Sequence, residues 1–244
     1  MQHLSEFQQR QFGLSERHLQ QLQQKDRYFQ LDARVLPAWS QLQALAALQG
    51  FDLQLVSAYR GFERQKAIWQ AKAQGKRDLL DEQGRCLNFS LLTDEQRLHA
   101  IMRWSAIPGL SRHHWGTDID VFDANVMAIE DVQLVPEEVE NDGVFSPMHQ
   151  WLDEIIDAQD SLGFYRPYHK DTGGVAPERW HLSYLPLSKL YMVDADRDSL
   201  LALWVENDLM FTDLLSNDFN EIYDRYVRLS VDGQPQWVTD LMRG

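Results

Sequence analysis

The sequence predicts an α+β fold, in which helices flank a small, mostly antiparallel sheet. Apolar residues recur at helical spacing in several segments, and short stretches elsewhere alternate polar and apolar residues as half-buried strands do. The two patterns follow one another without the regular βαβ rhythm that a parallel sheet requires. The chain has 244 residues, 44% of them hydrophobic, which is enough for one sizeable core with terminal additions.

Four elements are predicted in the first third of the chain. In order, they are a helix at residues 15–25, a helix at 36–48, a strand at 52–60 and a helix at 62–75. Ser15 is the expected N-cap of the first helix, because its hydroxyl can accept a hydrogen bond from a free backbone N–H group. Gly50 and Gly75 are placed to end the other two helices.

The remaining elements again mix helices and short strands. They are a helix from Thr93, a strand at 117–123, a helix at 148–162, a strand at 179–184, mostly helical structure at 187–227 and a hairpin at 230–238. Thr93 and Gln96 have the spacing of a capping box, although its usual acid is replaced by glutamine. The hairpin is predicted from the dipeptide Asp232-Gly233, which favours a tight turn.

The net charge of the chain limits which classes of binding partner we expect. The chain has 23 basic and 37 acidic residues, for a formal net charge of -14. A surface this acidic argues against a nucleic acid or an anionic membrane as partner. No stretch reaches the roughly 18 apolar residues that span a bilayer, and the N-terminus has no signal-peptide core. We therefore expect a cytoplasmic protein, or a periplasmic one if a leader has been removed; the sequence predicts no oligomeric state.

Residues 111–120, SRHHWGTDID, concentrate side chains that bind metals. In a strand, Asp118 and Asp120 face one way and the apolar residues between and beside them face the other. Gly116 permits a tight bend that could fold His113 back beside Asp120. A histidine and an aspartate brought together in this way make two ligands of a zinc site, but alone the stretch is also compatible with an ordinary surface. Cys86 is the only cysteine, so a metal site must use His, Asp or Glu.

A second stretch, PERWHLSY at residues 177–184, strengthens the metal interpretation. Glu178 comes three residues before His181. A water molecule activated by a metal needs a base nearby, and a glutamate close to a histidine ligand supplies one. We expect Glu178 in the turn before the strand and His181 inside it, with Trp180 packed on the opposite side. Taken alone, the pair could equally be a surface glutamate and a histidine at the edge of the core.

Arg60 lies in a third stretch, SAYRGFERQ at residues 57–65, at a turn from strand to helix. Turns of this kind often carry functional side chains. The guanidinium fork suits a carboxylate or a developing oxyanion. An ordinary arginine at the start of a helix is the alternative.

Together, the three stretches closely resemble the VanY-like zinc D-alanyl-D-alanine carboxypeptidases. That family has the pattern Ser-x-His-x-x-Gly-x-Ala-x-Asp, then Glu-x-Trp-His, with a Tyr-Arg-Ser turn upstream. The matching residues are Ser111, His113, Gly116 and Asp120, then Glu178, Trp180 and His181, then Tyr59 and Arg60. The helical segment from Trp151 that ends in Gly-Phe is also similar, and the likeness covers about residues 35–185.

The resemblance implies a role for each matched residue. It implies that one zinc ion per chain is bound by His113, Asp120 and His181 and that Glu178 is the catalytic base. Arg60 would hold the substrate or stabilise the tetrahedral intermediate. Ser111, Gln65 and Tyr59 would contact the substrate. The substrate would be a peptidoglycan-derived peptide ending in a D-amino acid, and the chain would divide into a helical segment at 1–34, the peptidase domain at 35–185 and a mostly helical extension at 186–244 packed on that domain.

Asp118 is the main departure from the family pattern, since it stands where the family usually has alanine. We expect it on the same face as Asp120, where it could contact the substrate, act behind the ligands or bind the metal. Two other functions remain open: an endopeptidase that cuts inside the murein stem peptide, and a zinc-binding domain without catalysis. A base at Glu178 argues against the second, because a structural zinc site does not need one and is usually closed by four protein ligands.

Overall fold

Four antiparallel strands form the sheet that carries the predicted site residues. In spatial order they are β3 (Leu53–Ser57), β4 (Asp118–Asp123), β6 (His181–Tyr184) and β5 (Phe164–Tyr165). The structure is a computed structural model that describes residues 4–243. Within the sheet, Asp118 lies opposite Ser183 and Asp120 lies opposite His181. The predicted α+β class, with a small antiparallel sheet among helices, is confirmed.

The helices surround this sheet. Those before β4 are α1 (Glu6–Gln11), α2 (Leu36–Leu48), α3 (Phe62–Ala73) and α4 (Asp94–Trp104). Those after it are α5 (Pro136–Val139), α6 (Ser146–Asp157), α7 (Leu185–Ser188), α8 (Arg197–Glu206), α9 (Thr212–Asn217), α10 (Phe219–Tyr226) and α11 (Gln236–Arg243). Short 3-10 turns occur at Phe89–Leu91, Arg112–Trp115 and Lys189–Tyr191. Thr93 and Gln96 form the expected capping box at the start of α4.

The helix predicted at residues 15–25 is wrong. Strands β1 (Leu19–Gln24) and β2 (Arg27–Asp32) form an antiparallel hairpin there. The N-terminal segment expected to be helical therefore combines the helix α1 with a hairpin in residues 4–34; residues 1–3 lie outside the described part of the chain. The side chain of Gln24 donates to the carbonyl of Leu55 and accepts from its N–H group. Glutamine favours helices, but propensity is only a weak guide that tertiary contacts such as these with β3 override.

The hairpin predicted at residues 230–238 is also wrong. A turn containing Asp232 and Gly233 is followed directly by α11, which begins at Gln236. Pro235 stands just before this helix, and its carbonyl accepts hydrogen bonds from Val238 and Thr239. Proline has no backbone donor and a fixed φ suited to a helix start, so it favours a helix here rather than a returning strand.

Two large apolar clusters hold the fold together. The first packs one face of the sheet against α2 and α6, and it includes Ile119 and Val121 of β4 and Trp237 of α11. The second joins α3 and α4 to α8, α9 and α10. A smaller cluster contains Phe122, Val139, Phe145 and Trp180. Among the described residues, no helix combines the length and apolar character needed to cross a membrane.

Candidate active site

His113, Asp120 and His181 meet at one point beside the sheet. Their donor atoms all lie within 4.8 Å of one another, and all three residues are buried. His113 stands in the 3-10 turn before β4, and Gly116 ends that turn with a left-handed φ of 71°. Because this turn sends the chain back along the sheet, His113 Nε2 comes to 3.4 Å from Asp120 Oδ2. His181 reaches the same point because it pairs with Asp120 across β4 and β6.

Hydrogen bonds commit one nitrogen of each histidine and leave the other available. His113 Nδ1 is 2.9 Å from the carbonyl oxygen of Ala58, and His181 Nε2 is 2.9 Å from Asp118 Oδ1. Both partners can only accept, so these ring nitrogens carry the hydrogens. The lone pairs of neutral His113 Nε2 and His181 Nδ1 therefore remain for a metal, which is the arrangement found at metal-bound histidines.

The donor set fits a divalent metal. Asp120 Oδ1 and His181 Nδ1 are buried without a hydrogen-bond partner in the described structure. Unsatisfied buried polar atoms are costly, and a shared cation would satisfy both. Two imidazole nitrogens and a carboxylate oxygen match a catalytic zinc site, which keeps a further position open.

The electrostatics of this group also favour a cation. Burial raises the pKa of Asp120 to about 6, and the nearby carboxylate of Glu178 contributes in the same direction. Burial opposes the charged form of His181, yet the hydrogen bond with Asp118 and the nearby carboxylates of Glu178 and Asp120 raise its pKa to about 9. The site therefore holds protons near neutral pH that a divalent cation can displace.

Asp118 does not contact the open cavity, so its prediction as a substrate-binding residue is wrong. Its side chain is fully buried beneath His181. It accepts hydrogen bonds from Arg112 Nε, Thr117 Oγ1, His181 Nε2 and Ser183 Oγ. Although burial opposes its charge, Arg112 and these donors hold the pKa of Asp118 well below its usual range.

Glu178 stands where a base is expected. It lies in the turn just before β6, and its carbonyl accepts a hydrogen bond from the N–H of His181. Its Oε2 is 3.3 Å from His181 Nδ1. Trp180 packs with Phe122 and Phe145 and also borders the cavity. Glu178 is therefore held at the edge of the donor group, with its carboxylate on the cavity side.

Arg60 projects into the same cavity from the turn before α3. Its Nη1 donates to Gln65 Oε1 at 3.0 Å, and its Nη2 donates to Ser57 Oγ at 3.2 Å. Burial lowers the pKa of Arg60, whereas the charges of Asp120 and Glu178 oppose that shift. Arginine nevertheless stays charged at any ordinary pH. The guanidinium therefore places a fixed positive charge beside the two carboxylates.

The three predicted substrate contacts differ in their surroundings. Ser111 is buried and lines the cavity. Gln65 is fully buried, with its Nε2 bonded to the carbonyl of Ala106, so it orients Arg60 and the predicted substrate contact is wrong. Tyr59 donates its hydroxyl to the carbonyl of Gly13 at 3.3 Å and is not part of the cavity lining; its contact with the substrate stays a prediction.

Sequence reasoning missed several residues of the cavity. The ring of Tyr168 packs edge-on against His181 at 5.1 Å, and Lys72 and Arg77 line the wall formed by α3 and the following loop. Arg112 was missed although it lies inside the first motif. Of these missed residues, only Arg112 could have been identified from the sequence, because an arginine between Ser111 and His113 is close to any site those residues form.

The extra imidazole of the first motif, His114, faces away from the donor group. Its Nδ1 bonds to the carbonyl of Arg60 and its Nε2 accepts from the N–H of Gly109. It therefore fixes the turn that carries Arg60.

Comparison with known proteins agrees with this site. A sequence model of the VanY family, described as D-alanyl-D-alanine carboxypeptidase, matches residues 28–187. The match covers more than half of the chain, and the chain belongs to this family of hydrolytic peptidases. The predicted family and enzyme class are thereby confirmed.

Two relatives are uncharacterised proteins of Haemophilus influenzae. One is 43% identical over 77 residues, which are 32% of this chain and 53% of the relative. The other is 32% identical over 124 residues, or 50% of this chain and 92% of the relative. The chain thus spans about half the length of the first relative and nearly all of the second.

Several solved structures are similar in fold. VanYB in complex with D-alanine-D-alanine has 23% identity and a TM-score of 0.48, over 71% of this chain and 82% of that one. A mutant of the D,D-pentapeptidase VanY in complex with Zn(II) has the same identity and TM-score, over 72% and 86%. The LD-carboxypeptidase LdcB has 18% identity and a TM-score of 0.43, over 85% and 73%.

Proposed function

We propose that this chain is a zinc carboxypeptidase that removes a C-terminal D-amino acid from murein-type peptides. One observation carries the proposal: the free nitrogens of two histidines and the carboxylate of Asp120 converge beside Glu178. The point of convergence lies in a cavity of about 390 Å³, a size suited to the end of a peptide. Membership of the D-alanyl-D-alanine carboxypeptidase family supports the same reaction.

His113, Asp120 and His181 would hold the zinc ion. When bound there, zinc supplies Lewis-acid chemistry: it polarises a carbonyl group and makes water more acidic. The hydrogen bonds from His113 to Ala58 and from His181 to Asp118 keep both rings oriented, with the other nitrogen of each ring directed towards the metal position.

Glu178 performs the proton transfers in this proposal. Its carboxylate takes a proton from the attacking water and delivers it to the amine of the departing D-amino acid. Arg60 binds the carboxylate of that residue or the oxyanion that develops on the scissile carbonyl, because its fork is fixed by Gln65 and Ser57. Ser111 lines the cavity and offers a hydroxyl to the peptide.

The location of the protein decides which peptides it meets. In the cytoplasm the substrates would be murein precursors or recycled stem peptides, and in the periplasm they would come from mature murein. A panel of stem peptides with D- and L-termini separates a carboxypeptidase from an endopeptidase, because only the former releases a single terminal residue. Mass spectrometry of the products distinguishes these two activities directly.

Replacing Glu178 by glutamine tests the catalytic assignment. Glu178→Gln keeps size and hydrogen bonding but removes the basic oxygen, so we expect zinc content to stay near one per chain and kcat to fall roughly 10²- to 10⁴-fold. Elemental analysis and peptide hydrolysis measure the two quantities.

Glu137→Gln is the matched control, because Glu137 lines the same cavity from α5 and is exposed. It should keep both zinc and activity. Wild-type turnover by Glu178→Gln on a good D-Ala-terminated peptide would refute the assignment.

A further inference from the structure

Three cations that line the cavity form no ion pair within the described part of the chain. Arg60, Lys72 and Arg77 all contribute to its wall. Among the described residues, none of them forms an ion pair with an aspartate or glutamate, although the chain has a net charge of -14. Four other cations of this region are paired, in Lys66–Glu63, Arg85–Asp81, Arg97–Asp94 and Arg103–Asp171, whereas Arg64 and Lys76 are exposed and also unpaired among the described residues. The positive charge on the cavity wall is therefore available to bind an anion.

Lys72 is the most informative of the three. It lies in the last turn of α3 and is largely buried, and its Nζ donates to Ser105 Oγ at 2.6 Å. An ammonium group has three donors, so two remain after this bond. Burial, followed by the charge of Arg77, lowers the pKa of Lys72 to about 8. The charge of Glu178 opposes this shift, but no carboxylate forms an ion pair with Lys72 among the described residues, and an anion beside it would lower the cost of burying the ammonium.

Arg77 adds a second positive charge to the same wall. It follows the end of α3 by four residues, and its side chain is exposed. Two like charges near each other are unfavourable unless an anion lies between them. The planar guanidinium can bind both oxygens of a carboxylate, and the ammonium of Lys72 can bind one of them.

Arg60 is placed to bind a different group. It precedes the first residue of α3, and its guanidinium is held by Gln65 and Ser57 close to Asp120 and Glu178. The helix rises about 1.5 Å per residue, so the Cα atoms of Phe62 and Lys72 are about 15 Å apart. Arg60 is held beside the proposed base by Gln65 and Ser57, whereas Lys72 is held by Ser105, so the two cations have different partners on the cavity wall.

We infer that Lys72 and Arg77 form a subsite for a second carboxylate of the substrate, on a residue upstream of the scissile bond. The preferred substrate class is then an acidic peptide that carries a side-chain carboxylate in addition to its C-terminal one. This inference rests on the proposed function, because it uses the peptide orientation that Arg60 and Glu178 define.

A series of D-Ala-terminated peptides tests the subsite. One glutamate is moved one position at a time upstream of the scissile bond, and each peptide is matched with its glutamine counterpart. For one position, the zinc-loaded wild type should prefer glutamate in kcat/KM. In the double variant Lys72→Gln, Arg77→Gln that preference should fall roughly tenfold, because charged hydrogen bonds are lost.

Arg64→Gln is the matched control for loss of charge. Arg64 is an exposed cation of α3 that does not line the cavity, so its removal should leave the glutamate preference unchanged. Equal glutamate and glutamine rates for the wild type at every position would overturn the subsite. A double variant that keeps the wild-type preference would overturn it too.

A binding measurement separates this inference from the proposed function. Zinc-loaded Glu178→Gln protein is titrated calorimetrically with the glutamate and glutamine peptides, with and without the Lys72 and Arg77 substitutions. Tighter binding of one glutamate peptide that the substitutions abolish supports the subsite, even if no peptide is cleaved by the wild type. Equal binding of both peptides in all proteins refutes it, whatever the outcome of the cleavage assay.

Discussion

At the scale of single residues, the hydrogen bonds of Asp118 decide which atom of His181 is available to a metal. Asp118 can only accept while it is ionised, and its carboxylate is surrounded by four donors. His181 Nε2 must therefore carry a hydrogen, and its Nδ1 is left as the ligating atom. The carboxylate that departs from the family pattern thus positions His181 from behind.

Replacing Asp118 by asparagine should weaken zinc binding. An amide can donate as well as accept, so the hydrogen of His181 is no longer held at Nε2 and the ligand becomes less basic. Partners of this kind are typically worth 10- to 100-fold in metal affinity, and we expect a loss of that size for Asp118→Asn. Competition with a chelator measures it.

Asp123→Asn provides the comparison for this measurement. Asp123 is a buried aspartate at the other end of β4, and it accepts from the backbone N–H groups of Asp52 and Asn125. Its replacement can lower stability but should leave zinc affinity within about twofold, since it makes no contact with the ligands. Equal affinities for Asp118→Asn and wild type would show that Asp118 does not position His181.

At the scale of elements, the N-terminal hairpin supports both turns that carry site residues. The N–H of Asp32 in β2 donates to the carbonyl of Gly116, and the carbonyl of Gln30 accepts from the N–H of Tyr59. Gly116 has a positive φ, and a Cβ added there would come within 2.5 Å of Leu19 and 2.8 Å of the nitrogen of Asp32. The hairpin and the metal-site turn therefore fit together only if residue 116 has no side chain.

Substituting Gly116 by alanine should lower stability and disturb metal binding. The left-handed conformation costs roughly 1–3 kcal/mol for a residue with a Cβ, and the clash with β1 and β2 adds to it. Urea denaturation gives the free energy of unfolding, and a zinc titration gives the affinity.

The Gly50→Ala variant separates the cost of backbone strain from the cost of a steric clash. Gly50 also has a positive φ, of 88°, but a Cβ there would meet no atom within 4 Å. This control should lose only the conformational part of the stability and should keep zinc affinity. If both variants lose the same stability and both retain zinc, the hairpin does not constrain the site turn.

At the scale of the whole molecule, the C-terminal helices complete the core beside the site. Trp69 of α3 donates to the carbonyl of Met210, and Trp204 of α8 donates to the carbonyl of Pro108. The segment from Pro108 leads directly to Ser111 and His113. The second apolar cluster is thus shared between α3, α4 and the helices after residue 196.

Replacing Trp204 by alanine should destabilise the chain by about 3–5 kcal/mol, because a buried indole and its hydrogen bond are removed. Val205→Ala, at the next and exposed position, should change stability by less than about 0.5 kcal/mol. Thermal or urea unfolding of the two variants measures the difference. A small effect at Trp204 would mean that the C-terminal helices fold apart from the peptidase region.

The sequence predicted how several candidate site residues lie relative to one another where a local pattern fixes the geometry. Gly116 ends a turn that returns His113 to Asp120, and alternation along β4 puts Asp118 and Asp120 on the same side. The turn before β6 likewise places Glu178 next to His181. In each case the decisive residues lie within ten positions of one another, so backbone geometry alone brings them together.

Other features depend on contacts between distant parts of the chain. Residues 19–32 form a hairpin rather than a helix because they bond to β3 and to the site turn. Gln65 and Tyr59 turn away from the cavity because the carbonyls of Ala106 and Gly13 accept their hydrogen bonds.

The sequence by itself determined the α+β class, the family and the identity of the residues that could bind a metal. Motif spacing and alternation are local properties of the sequence, so they can be recognised without knowing which distant segments pack together. Only the tertiary structure decided that Asp118 lies behind His181 and that Lys72 and Arg77 line the cavity. Burial and ion pairing depend on which segments pack together, because a charge loses its water only when distant parts of the chain enclose it.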